Sequence, residues 1–153
     1  MITENSLTIA VDFDGTIVEH KYPDIGNEML FAFATLKALQ KKGHKLILWT
    51  FRNGAALDAA VAYCKSNGIE FYAINKNFPE EEINASTSRK INADIFIDDR
   101  NVGGFLGWSE IWQLLHPEGG SFNHQLKAPD AHRNFKTTKR SWLRNLFKSN
   151  DSL

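Results

Sequence analysis

The chain has 153 residues, 42% of them apolar and 24% charged, which suits one globular domain with a sizeable core and excludes a mainly disordered chain. Formal net charge is zero, so the whole molecule has no bulk electrostatic attraction to nucleic acid or to an anionic membrane. The charge is unevenly spread: residues 1–126 carry 11 Lys or Arg against 16 Asp or Glu, whereas residues 127–153 carry 7 against 2.

A single cysteine, Cys64, excludes an internal disulfide, and no C-x-x-C spacing offers a zinc site. No apolar run reaches membrane-spanning length, and the first, Leu7 to Val11, is too short for a signal-peptide core. A cytoplasmic protein with no membrane span is the expectation.

In chain order, Leu7 to Val11 (LTIAV) is a short β-branched run of the kind covered on both faces in a parallel sheet. A helix is expected from Glu28 to Lys42, with Asn27 as its N-cap, Phe33, Leu36 and Leu39 in its apolar stripe, and Gly43 closing it. Lys45 to Trp49 (KLILW) predicts a second strand. Gly54 to Asn67 predicts a second helix, built on Leu57, Ala60, Val61 and Cys64 and ended by Gly68.

Glu70 to Ile74 (EFYAI) predicts a third strand and Asp94 to Ile97 (DIFI) a fourth, with Trp108 to Leu115 as a closing helix. Strands alternating with helices at this spacing imply a three-layer, doubly wound parallel sheet, with ligand sites beyond the carboxyl ends of the strands. Residues 1–122 form this core. Residues 123–153 form a basic tail, in which Trp142, Leu143, Leu146 and Phe147 make an apolar stripe flanked by Arg140, Arg144 and Lys148. Three roles stay open for that tail: packing on its own domain or a second copy, contact with an anionic partner or membrane surface, and disorder.

The chemistry gathers where strands run out. Asp12-Phe13-Asp14-Gly15-Thr16 follows the first strand, where two carboxylates at i and i+2 can face one ligand because the chain is no longer pleated. One such carboxylate can attack phosphorus while the other manages the leaving-group proton. Asp98-Asp99 follows the fourth strand, and a parallel sheet brings it to the same edge. Clustered carboxylates repel one another, and an all-oxygen set suits magnesium over zinc. Thr50 ends the second strand and Lys90 precedes the fourth; both are phosphate donors, with Arg89 an alternative to Lys90. Arg52, in the loop after Thr50, either holds a second anionic group or makes a surface salt bridge. His20 and Lys21 lie in the loop after Asp12 to Thr16, as substrate contacts or as solvated residues.

DFDGT, then LILWT, then a Lys, then a strand ending in DD resembles the haloacid dehalogenase superfamily of phosphatases over residues 7 to about 115. The resemblance implies Asp12 as nucleophile, Asp14 as general acid and base, Thr50 and Lys90 as phosphoryl ligands, and Asp98 with Asp99 as the metal motif, Asp98 being direct. Magnesium would join Asp12 and the backbone carbonyl of Asp14. Neither 16–45 nor 50–90 has room for an accessory cap, so the resemblance implies a capless type with an open site for a phosphorylated substrate. Rival readings are a phosphotransferase on the same residues, a phospho-accepting receiver domain and a non-catalytic binding module. A receiver places its acidic pair in the first loop, and the order here is different.

Overall fold

A computed structural model of the chain describes residues 6–117. Four strands form one sheet, β1 (Thr8–Val11), β2 (Lys45–Leu48), β3 (Ala73–Ile74) and β4 (Ile95–Ile97), in the spatial order β3-β2-β1-β4 with every pairing parallel. Three helices punctuate them: α1 (Ala32–Lys41), α2 (Gly54–Ser66) and α3 (Trp108–Leu115). The architecture is α/β. The tail expected at 123–153, with its helix near Arg140 to Lys148, lies outside the described residues.

The central strand explains the sequence pattern. Successive side chains of a strand point to opposite faces, and Ile9, Ala10 and Val11 are all buried, so β1 is covered on both sides. Ala10 packs with Ile47, Ala73 and Ile91, and Trp49, Ala93 and Phe96 close over them. Phe33, Leu36 and Leu39 of α1, and Ala60 and Cys64 of α2, are buried as their spacing predicted. Burial pushes the Cys64 thiol up to about 12, which leaves it an inert core group. No helix among the described residues is long and apolar enough to cross a membrane.

Register decides where the chemistry falls. Val11 stands opposite Leu48 on one side and Ile97 on the other, and Leu48 stands opposite Ile74. The ladder then runs out in step. The Asp12 amide donates to the Ile97 carbonyl at 2.9 Å, the Trp49 amide to Val11 at 2.8 Å and the Asn75 amide to Leu48 at 2.8 Å. From β1 the chain moves outward through β2 and β3, then returns to the other side of β1 for β4. The reversal point is the crevice beyond β1 and β4, where open parallel sheets bind ligands.

Of the expected boundaries that move, most do so by a single residue, and those of α1 and β3 by more. Helix α1 begins at Ala32 rather than Glu28, because 27–29 is used in backbone pairing with 17–19: the Glu19 amide donates to Asn27 and the Met29 amide to Ile17. Phe31, with φ 64°, turns the chain into the helix. Asn27 does not cap α1; its side chain donates to Glu19 Oε2, while Glu28 Oε1 accepts from the Phe33 amide and does part of that work. Strand β3 shortens to two residues, and β2 ends at Leu48.

Candidate functional site

The turn after β1 is wound around one carbonyl. Phe13 accepts from the amides of Thr16, Ile17 and Val18 at 3.3, 2.9 and 3.1 Å, and the Gly15 amide donates to Val18 at 2.7 Å. Gly15 has φ +84°, and a Cβ there would lie 2.4 Å from both Asp99 Oδ2 and His20 Nε2. Glycine is therefore required both for the turn and for the close approach of the second acidic loop. Trp108, buried on α3, pins the turn by donating from Nε1 to the Thr16 carbonyl at 2.8 Å. Residues 17–19 and 27–29 then make the stem of a flap whose tip, with His20 and Tyr22, lines the cleft.

Asp12, Asp98 and Asp99 converge as the sequence expected. Each offers a carboxylate oxygen, and the three oxygens lie within 4.8 Å of one another. Burial, followed by the negative charges of Asp98, Asp99 and Asp14, raises the Asp12 carboxyl to about 7 against the stabilising amide of Phe13. Oδ1 of Asp99 is shielded from solvent with no hydrogen-bond partner, while Oδ2 contacts His20 Nε2 at 2.8 Å. Asp98 Oδ1 accepts from the Arg100 amide at 2.7 Å. Three convergent carboxylates, one with an orphaned oxygen and one forced toward its neutral form, fit a hard divalent cation.

Asp14 stands apart from this trio. Both of its oxygens accept from Arg52, Oδ2 from Nε and Oδ1 from Nη2, each at 2.7 Å. Arg52 is 1% exposed, and its remaining hydrogens go to the carbonyls of Pro23, Asp24 and Ala56. Its guanidinium also lies 4.9 Å from the Phe13 ring and 5.3 Å from the Tyr22 ring. The expectation that Arg52 clamps a second anionic group is corrected by this count. All five donors are spent inside the protein, so Arg52 is a strut that ties Asp14 to the flap and to α2. The Asp14 carboxylate likewise contributes no oxygen to the acidic trio.

Thr50 and Lys90 line the same cleft as Asp12, Asp14 and Asp98, a cavity of about 820 Å³. The Thr50 amide donates to Asn75 Oδ1 at 2.8 Å, and its Oγ1 accepts from the Arg52 amide at 3.2 Å. Lys90 is exposed, with Nζ 5.6 Å from the Phe96 ring, and Arg89 and Arg100 line the cavity beside it. Sequence reasoning missed Asn75, His20 as the partner of Asp99, and Arg100. Asn75 carried a signal, since asparagine tolerates the left-handed φ of 52° found at the end of β3.

No protein-family model matches the chain, and no curated protein matches it. A solved structure does: a conserved protein from Bacteroides thetaiotaomicron, 55% identical, with a TM-score of 0.70 and an alignment that covers 77% of this chain and 95% of that one. At that identity, over nearly the whole of the solved protein, the chain belongs to the same family as the Bacteroides protein.

Proposed function

We propose that the chain is a magnesium-dependent phosphohydrolase of the haloacid dehalogenase type, capless and three-layered, that cleaves a phosphate monoester through an aspartyl phosphate on Asp12. The observation that carries this reading is the setting of Asp12, a half-buried carboxylate at the switch point of a parallel sheet with Asp98 and Asp99 within ligand distance. Only a flap and α1 lie between β1 and β2, in keeping with the absence of a cap.

In this reading a carboxylate oxygen of Asp12 attacks phosphorus in line, the bond from phosphorus to the ester oxygen breaks, and Asp14 gives the departing alcohol its proton. Water deprotonated by Asp14 then attacks the acyl phosphate, releasing inorganic phosphate and regenerating Asp12. Lys90 and the Thr50 hydroxyl hold the equatorial oxygens, where developing charge repays fixed donors most. Magnesium, when bound by Asp12, Asp98, Asp99 and the Asp14 carbonyl, neutralises the clustered carboxylates and polarises the phosphoryl group. Arg52 fixes where Asp14 sits. Because Arg52 occupies both Asp14 oxygens, proton delivery requires one of those two bonds to open.

The test is release of phosphate from an aryl phosphate with magnesium or with EDTA, for wild type and Asp12→Asn. Magnesium-dependent turnover lost in the variant, by a factor on the order of 10⁴, is the expected result. Full metal-dependent turnover by a folded Asp12→Asn protein would overturn the reading.

A further inference from the structure

The cleft is far larger than a phosphoryl group needs, and its rim is chemically uneven. Phe51 adjoins Thr50 in the chain, lines the cleft and is 90% exposed, so its ring is open to a ligand. Trp49, on the other side of Thr50, lines the same cavity from a half-buried position. Tyr22 joins them from the flap, 54% exposed, its ring steadied by the guanidinium of Arg52 at 5.3 Å. Because Arg52 is itself fixed by five hydrogen bonds, that ring is held ready and a ligand need not order it.

Two exposed rings, Phe51 and Tyr22, with the half-buried Trp49 beside Thr50, line one cleft together with Lys90, Arg89 and Arg100, and aromatic faces among cations are how proteins hold bases and phosphates together. We infer that the cleft takes a nucleotide bearing an unesterified phosphate, free or at the end of a single strand. Its base stacks on the rim formed by Phe51, Trp49 and Tyr22 while the phosphate reaches Asp12. This inference rests on the phosphatase reading for the position of the phosphate. Lys90 is committed to the transferring group, which leaves Arg89 and Arg100 for a further anion. A sugar monophosphate or a phosphorylated side chain supplies no aromatic plane, and of the two nucleotide forms the strand end also supplies the further anion.

Binding to Asp12→Asn protein with magnesium, measured by calorimetry, compares thymidine monophosphates, a terminally phosphorylated hexathymidylate, glucose 6-phosphate and phosphoserine. Hydrolysis by the wild type is measured on the same set. The nucleotides should bind at least about tenfold more tightly than the other two, and Phe51→Ala should cut that preference about tenfold. The Phe51 ring stands in solvent, so the variant retains its fold. Equal binding across the set, a preference for the sugar or the phosphoserine, or a nucleotide preference untouched by Phe51→Ala would each overturn the inference.

The two sources of nucleotide separate by salt. A steeper salt dependence for the hexanucleotide than for the monophosphate, flattened by Arg89→Ala, identifies a strand end, and equal dependence identifies the free nucleotide. Selective nucleotide binding with no hydrolysis of any ester would remove the phosphatase reading and leave the nucleotide site standing. Hydrolysis without selectivity would do the reverse.

Discussion

Arg52 and Asp14 meet through two parallel hydrogen bonds of 2.7 Å, the guanidinium wholly buried and the carboxylate half-buried at the wall of the cleft. The partner raises the already high pKa of Arg52 further, first through that hydrogen bond and then through the charge of Asp14. Removing one member of a buried pair leaves the other charged and uncompensated, a cost of about 3–5 kcal/mol. Arg52→Ala is therefore expected to lower unfolding stability by about 3 kcal/mol in urea melts. Arg52→Lys recovers little, because an ammonium cannot span both oxygens and still reach the flap carbonyls. Arg52→Ala combined with Asp14→Asn should lose less than the sum of the single changes, and additivity would show the pair to be uncoupled.

Gly15 is the point where the two acidic loops come nearest. Substitution by alanine meets a left-handed φ and places a methyl group 2.4 Å from Asp99 Oδ2 and His20 Nε2. The strain costs about 2 kcal/mol, and because the second loop must shift to relieve it, cation affinity falls as well. Thermal melts with and without magnesium separate the two effects: a lower melting point in EDTA reports strain, and a smaller magnesium-induced rise reports the displaced Asp99.

His20 contacts Asp99 from the flap and so orients a candidate ligand from outside the trio. Removal of such an outer partner typically weakens metal binding by 10 to 100-fold. His20→Ala is expected to weaken magnesium binding about tenfold by calorimetry, and His20→Gln, which keeps a donor at similar reach, to restore much of it. An unchanged affinity in His20→Ala would reduce this contact to a surface pairing.

The sheet was legible in the sequence because a strand covered on both faces needs consecutive apolar residues, and Ile9 to Val11, Leu46 to Leu48 and Ile95 to Ile97 each supply them, β4 being covered less completely than the other two. Parallel register then carries Asp12, Thr50 and Asp98 to one edge with no further information. Arg52 was legible only as a position. Its role depends on the carbonyls of Pro23 and Asp24, which reach it because residues 17–19 pair back on 27–29, and no local periodicity announces that pairing. The same long-range pairing displaced the start of α1 from Glu28 to Ala32. The pairing of His20 with Asp99 was invisible for a related reason: the two lie in different loops, one after β1 and one after β4.

Asp12 makes the site sensitive to pH. Its folded carboxyl is raised to about 7 from an ordinary 3.8, so between those values the native chain keeps a proton that the unfolded chain releases. The stability this group contributes is complete below about pH 4 and is lost as pH rises through about 7. In EDTA, wild type should lose melting temperature relative to Asp12→Asn as pH is raised from 5 to 8. Magnesium reverses the sign, because a cation binds the ionised form and must displace the proton. Magnesium affinity should rise about tenfold per pH unit below 7 and flatten above it. An affinity that stays flat from pH 5 to 7 would mean that Asp12 is already ionised, and that burial and its acidic neighbours are offset by some group other than the Phe13 amide.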